Sequence, residues 1–428
     1  MKLWSALFCI LLLLQGSYLR VEADDRFVTT RGVQLMFRGS PFYGNGFNAY
    51  WLMYMASDPS QRSKVSLAFQ EARQHGLRIG RTWAFRDGGD RALQYSPGSY
   101  NEQVFQGLDF VISEAKKHRI TLILSLVNNY DDYGGKKQYV NWARERGQSI
   151  RSDDDFFTNS VVKGYYKNHV KTVLTRRNTF TGVLYKDDPT IMAWELMNEP
   201  RRQSDQSGKT IQAWITEMAS HVKSIDGKHL LEAGLEGYYD QSSSQKQENN
   251  PSFLVGTDFI ANNQISGIDF TTVHSYPESW FPGFSFQRQI EFLNNWLNNH
   301  TQDAQNILHK PVLFAEFGKS LRTPGSSLNQ RDVLFRTVYS AIYSSASRSG
   351  AAVGGLFWQL FPEGMDSFHD GNEVILSENT STVRLINYES KKLNHIRNMH
   401  GRAARGIERA KQRAGNSSSI QGTNKKKF

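Results

Sequence analysis

Cysteine is all but missing from this chain: 428 residues include one, Cys9. It lies in the apolar first stretch, so the rest of the chain forms no disulfide and offers no thiol for nucleophilic or metal chemistry. A chain of about 400 residues buries a large core without such staples. HExxH, paired CxxC and GxSxG are missing too, which leaves zinc-dependent hydrolysis and serine-nucleophile chemistry without support. No run reaches the ~18 consecutive apolar residues of a membrane-spanning helix.

What stands at the start reads as an address. Lys2, the apolar run Leu3 to Leu14, and Val21-Glu22-Ala23 match a secretory leader with a small-x-Ala cleavage site better than a first helix of the fold. Three sequons, at Asn299, Asn379 and Asn416, suit a secreted glycoprotein. The net charge of +10 is a property of the other end. From Lys391 onward there are eleven Lys or Arg against Glu408 alone, which leaves the body neutral. The expected division is a leader over 1–23, one domain over 24–395, and a basic, disordered tail over 396–428. A solvated end and an arm that holds acidic polymers both fit such a tail. A nucleic-acid partner is opposed by the leader and the neutral body.

Short β-rich runs alternate with amphipathic helical patterns. The runs are Phe42–Phe47, Leu77–Phe85, Thr121–Asn128, Thr190–Met197, His229–Gly234, Ile268–Tyr276, Pro311–Phe317 and Ala352–Gln359. Several are continuously apolar, as parallel strands covered by helices are. Val104, Leu108, Val111, Ile112 and Ala115 show helical spacing, as do Ile211, Trp214, Ile215 and Met218, and less regularly Val333, Val338, Ala341 and Ile342. Eight strands with helices between them predict a (β/α)₈ TIM barrel with long loops at the carboxyl ends of the strands. The competing fold is an open doubly wound sheet. It would need a phosphate loop, and Gly44-Asn45-Gly46-Phe47-Asn48-Ala49 matches GxGxxA without the helix and acid that should follow. Arg26–Arg38 is expected to form a hairpin on the barrel floor. The segments 129–158, 238–254 and 361–379 are expected as loops, and the aspartates at 131–132 and 153–155 as solvated faces rather than metal ligands.

In such a barrel chemistry sits at the carboxyl ends of the strands. Polar residues collect there: Arg81 in "GRTWAF", Asn128, Asn198 and Glu199 in "WELMNEP", His274 and Tyr276 in "VHSYP", Glu316 in "FAEFG", and Trp358 in "GLFWQL". Glycosidic cleavage needs two carboxyl groups in different environments, one protonated and one ionised. Glu199 and Glu316 can converge on that task. Arg81 can keep one of them ionised and Tyr276 can donate to it. Trp358 offers a flat face for a sugar ring, and Asn198 a directional donor. Glu195, four residues before Glu199, is assigned to the barrel interior as a structural acid paired with a basic or hydroxyl neighbour.

"WELMNEP", "FAEFG", "RTWAF" and "VHSYP" together resemble glycoside hydrolase family 5. "GNGFNAYWL", "LSLVNNYDDYGGKKQYVNWA", "GTDFI" and "GGLFWQL" are similar to its plant-type endo-1,4-β-mannanases, over roughly Arg26 to His395. The resemblance implies a retaining double displacement without metal or other cofactor, Glu199 as acid/base and Glu316 as nucleophile. It implies substrate-binding roles for Arg81, Trp83, Asn198, His274, Tyr276 and Trp358. The expected substrate is mannan, galactomannan or glucomannan, met in the cell wall by a secreted monomer with no membrane partner. A β-1,4-glucan endohydrolase and a non-catalytic polysaccharide-binding barrel are the alternatives.

Overall fold

The computed structural model describes residues 26–240, 246, 249–251 and 255–401. Eight parallel strands form the centre: β1 (Gly46–Asn48), β2 (Ile79–Trp83), β3 (Thr121–Ser125), β4 (Ile191–Glu195), β5 (Leu230–Glu232), β6 (Thr271–Ser275), β7 (Val312–Phe317) and β8 (Ala352–Phe357). Each falls within, or overlaps, one of the eight runs expected from the sequence. The hydrogen-bonded order is β5-β4-β3-β2-β1-β8-β7-β6. The ring closes between β5 and β6, where Asp269 N–H donates to Leu231 O at 2.8 Å and His274 N–H to Glu236 O at 2.9 Å. The fold is therefore a (β/α)₈ barrel, not an open sheet.

Every residue of these strands is buried except Thr121, the outward face covered by helices that include α1 (Arg62–Gln74), α2 (Glu102–His118), α3 (Gly135–Glu145), α4 (Ser160–Leu174), α5 (Lys209–Ile225), α6 (Phe286–Asp303) and α7 (Leu328–Ala346). The helical positions anticipated at 104–115, 211–218 and 333–342 lie in α2, α5 and α7. Their apolar stripes supply buried Val111, Trp214 and Val338. Continuous apolar strands are what this double burial demands.

The sequence-based expectations differ from the structure at several places. The segment 129–158 is not a loop but holds α3 and a 3₁₀ turn at Asp153–Phe157. Of its aspartates, Asp131 and Asp132 are exposed, as expected, whereas Asp154 pairs with Lys136 at 3.2 Å and the buried Asp155 accepts from Arg151 N–H at 2.8 Å. The first strands form a three-stranded antiparallel sheet, Thr29–Arg31, Gln34–Phe37 and Ser40–Pro41. A last helix runs from 381 to 401, through the expected boundary at 396, with Ile396 buried. The leader, the sequon at Asn416 and the expected disordered stretch beyond Gly415 lie outside the described residues, as does most of the Ser- and Gln-rich segment after Tyr238.

Gly46 explains the false nucleotide motif. A Cβ there would lie 1.9 Å from Ile79 O of the neighbouring strand. The glycine is needed for strand approach, not for phosphate. Gly46→Ala is expected to lower stability by at least ~2 kcal/mol through overpacking at the β1–β2 seam, read as the denaturant midpoint; an unchanged midpoint would contradict this.

Candidate active site

Strand pairing sets the floor of the site. Register aligns Trp83 with Ser125, Ser125 with Glu195, and Glu195 with Glu232. Glu195 faces inward and takes a bidentate pair from Arg81, Nε to Oε2 at 2.6 Å and Nη2 to Oε1 at 2.7 Å. Arg81 also donates to Asn198 Oδ1 at 2.7 Å, Asn48 Oδ1 at 3.0 Å and Glu316 Oε1 at 2.5 Å. Glu232 completes this layer. Burial and the negative charge of Glu195 push its carboxyl well above the ordinary range, so it is held neutral.

β4 ends at Glu195, two residues short of the expected end, and the chain reaches Glu199 in the left-handed region, φ 51°. Strict alternation therefore does not carry to Glu199; the turn presents its carboxyl at the barrel mouth. There it accepts from Tyr130 Oη at 2.7 Å and from His274 Nδ1 at 2.6 Å. Glu316, near the end of β7, accepts from Tyr276 Oη at 2.7 Å on the oxygen that Arg81 leaves free. Atoms of Glu199, His274 and Glu316 all lie within 4.8 Å of one another. The two carboxyl groups thus face each other, each with its own donors.

Their protons are linked through His274. Burial opposes the imidazolium, whose Nε2 is buried without a partner among the described residues, yet the charges of Glu316 and Glu199 raise it above its ordinary value. Burial alone would raise Glu199 as well; the bond to and charge of His274, with Arg201 and Tyr130, outweigh this and bring it down to about 2. Burial and Glu199 together raise Glu316 against the pull of His274 and Arg81. The low Glu199 value thus belongs to the state with His274 charged. Passage of that proton along the 2.6 Å bond neutralises both partners, so the three groups titrate as a set.

A cleft of about 630 Å³ opens over these groups. Asn128, Asn198, Glu199, Tyr276, Glu316 and Trp358, all singled out from the sequence, line it. Asn198 Nδ2 donates to Asn128 Oδ1 at 2.9 Å. Trp358 is half-buried, stacks on Tyr50 with ring centroids 5.9 Å apart, and is steadied by Asp370, which accepts from its Nε1 at 3.1 Å. Arg81, His274 and Trp83 lie below the lining. Trp83, expected to touch substrate, is buried with its ring under the Arg81 guanidinium at 4.9 Å and beside Trp358 at 6.3 Å, where it supports both.

Sequence reasoning missed Tyr130, Arg201, Glu236, Tyr50 and Asp370. Arg201 follows "WELMNEP" directly and forms a bidentate pair with Glu236 at 2.7 and 2.5 Å. Burial and Glu199 push Glu236 up to about 7. Tyr130 lies inside "LSLVNNYDDYGG", and its aromatic-polar character was the signal available.

Comparison with known proteins fits this geometry. Residues 25–372 match the family model described as GH family 5 beta-mannosidase-like. The chain is 65% identical over 376 residues to mannan endo-1,4-beta-mannosidase 7 of Arabidopsis thaliana, covering 88% of this chain and 87% of that one. It is 62% identical over 380 residues to mannan endo-1,4-beta-mannosidase 1 of Oryza sativa subsp. japonica, covering 88% of each. Among solved structures, the endo-beta-1,4-mannanase from Thermotoga petrophila superposes with a TM-score of 0.73 at 30% identity, covering 82% of this chain and 77% of that chain.

The two buried acids beneath Arg81 are expected to respond differently to amide substitution. Glu195→Gln strips the guanidinium of its bidentate anion and costs about 3 kcal/mol. Glu232→Gln replaces a carboxyl already neutral and changes stability by less than about 1 kcal/mol. Denaturant unfolding of both variants separates them; equal losses would contradict the assignment of charge.

Proposed function

The chain belongs to glycoside hydrolase family 5, and on that premise we propose how its mouth residues cut an endo-β-1,4-mannosidic bond. The enzyme hydrolyses internal β-1,4-mannosidic linkages of mannan-type polysaccharides. In the proposed mechanism Glu316 is the nucleophile and Glu199 the acid/base. The single observation that carries it is the spacing. Carboxyl oxygens of Glu199 and Glu316 within 4.8 Å of each other suit the ~5–5.5 Å pair of a retaining enzyme, and leave no room for the water that an inverting pair ~6.5–9.5 Å apart accommodates.

Glu316 attacks the anomeric carbon as Glu199 passes its proton to the departing glycosidic oxygen, forming a glycosyl ester. Water then enters, Glu199 takes its proton, the new C–O bond forms on the face opposite Glu316, and the ester breaks. Arg81 and Tyr276 favour charge on Glu316, the attacking group. His274 and Tyr130 fix the direction of the Glu199 carboxyl, and His274 shares its proton. Trp358, braced by Tyr50 and Asp370, supports a sugar face beside the bond to be cut. None of these steps draws on a metal.

The leader in the sequence supports secretion into the cell wall, and the described residues include no helix long and apolar enough to cross a membrane. The division into leader, catalytic barrel over 24–395 and basic end over 396–428 is proposed on the same grounds, with the last helix bridging barrel and end.

Glu199→Gln and Glu316→Gln should each lower kcat on galactomannan by ~10²-fold or more while unfolding as the unaltered protein does. Near-normal turnover by either would overturn its role. The first product seen by proton NMR should be the β-anomer, and carboxymethylcellulose should be cut far more slowly than galactomannan; a preference for the glucan would favour the cellulase-like alternative.

A further inference from the structure

A second cleft, of about 740 Å³, lies at the opposite end of the barrel. It opens where the strands begin, beside Thr121 and Thr190, whereas Glu199 and Glu316 sit where the strands end. Besides Arg26, the cations Arg38, Arg73, Arg78, Lys116, Arg119 and Arg397 line it, and no carboxylate does among the described residues. These six come from the first antiparallel sheet, α1, the loop before β2, the end of α2 and the last helix. Cations at a helix end have an ordinary explanation in the helix dipole. That explanation covers Lys116, Arg119 and Arg73, in the last turn of α1, but not Arg38, Arg78 or Arg397.

Several features show a cluster left without its counter-charge. Arg73 Nη1 is buried and has no hydrogen-bond partner among the described residues. Arg38, Arg73, Lys116, Arg119 and Arg397 form no ion pair among the described residues, and the partner of Arg78 is the neutral Asn394 at 3.3 Å. Burial and the charge of Arg119 lower Arg73, and burial and the charge of Arg73 lower Arg397. Arg38 and Arg119 hold left-handed backbone, φ 50° and 55°, where Gly or Asn is the easier residue. The guanidinium groups of Arg38 and Arg397 lie over the rings of Phe37 and Phe42 at 5.2 and 6.0 Å. Flat forks resting on aromatic faces keep their N–H edges available for carboxylates. Gly401 lines the same cleft, and the chain beyond it carries eight Lys or Arg against Glu408.

We propose that this floor cleft is a second polysaccharide site that takes an acidic chain, a polyuronate bearing a carboxylate on each sugar, and so tethers the enzyme while the opposite end cuts neutral mannan. The carboxylates would pair with the arginine edges, and sugar C–H groups would meet Pro41, which also lines the cleft. The choice of a polyuronate over other polyanions rests on the reading of the chain as a secreted wall mannanase.

The test uses the full-length protein and polygalacturonate, with binding measured by calorimetry at low salt. Lys116→Gln/Arg119→Asn alters two exposed cleft cations, with Asn suited to the left-handed position; Arg73→Gln is added as a third change. The two-site variant should bind about tenfold more weakly, the three-site variant more weakly still, and binding by the unaltered protein should vanish near ~1 M salt, where screening shortens to ~3 Å. Mannohexaose hydrolysis should be unchanged in both. Unaltered polygalacturonate binding in the two-site variant, with loss instead on changing Arg402, Arg405, Arg409, Lys411 and Arg413 to Gln, would overturn the cleft and leave the chain end as the sole contact. Tighter binding of duplex DNA or phosphatidylserine vesicles than of polygalacturonate at equal charge would overturn the polyuronate. Failure to cut mannan with polyuronate binding intact would count against the mannanase reading alone.

Discussion

A single buried guanidinium organises the mouth of this barrel. Arg81 on β2 bonds Asn48 on β1, Glu195 on β4, Asn198 in the turn that follows, and Glu316 on β7. Leaving an arginine unpaired in the interior would cost several kcal/mol, so these partners are drawn to it from across the ring. Burial opposes its charge, but Glu195 and Glu316 raise its pKa still further, so it remains a fixed cation. Glu195 and the neutral Glu232 make this possible. They supply one negative charge beneath Arg81 rather than two, leaving part of the guanidinium to face the catalytic carboxyl above.

The two mouth carboxyls are consequently set in different company. Glu316 is bound to a group that cannot lose its proton, and Glu199 to one that can. An imidazole beside an acid/base residue allows the proton to be held nearby while the carboxyl is ionised and returned when a leaving group needs it. Arg201 and Glu236 add a second ion pair on the Glu199 side only. This asymmetry is the electrostatic basis of two glutamates performing unlike steps.

Much of the scaffold was legible in the sequence because parallel barrel strands announce themselves. Runs such as "TLILS" and "VLFAEF" are apolar without alternation, and the polar residues just beyond them mark one end of the ring. Glu195 was separable from Glu199 because only the second stands beside Asn and Pro at the strand's downstream edge. α3 was not legible as a helix: Gly134, Gly135 and two lysines open it, and its apolar Tyr139, Val140, Trp142 and Ala143 occupy a single short stripe. The partnerships were less legible still. Tyr130 and Glu199 are 69 residues apart, and Trp358 meets Tyr50 across nearly the whole domain. Periodicity tells which face a residue occupies, not whom it meets there. The floor cleft was invisible for the same reason, since its cations come from widely separated parts of the chain.

The central claim is that Arg81 and Tyr276 hold Glu316 as the group that bonds to sugar, with Glu199 serving proton transfer opposite it. Trapping the intermediate tests this most directly. A 2-deoxy-2-fluoro-mannosyl donor with a good leaving group should label the enzyme with one sugar, and peptide mass spectrometry should place that sugar on Glu316. A label on Glu199, or hydrolysis with no covalent adduct at any time, would contradict the account.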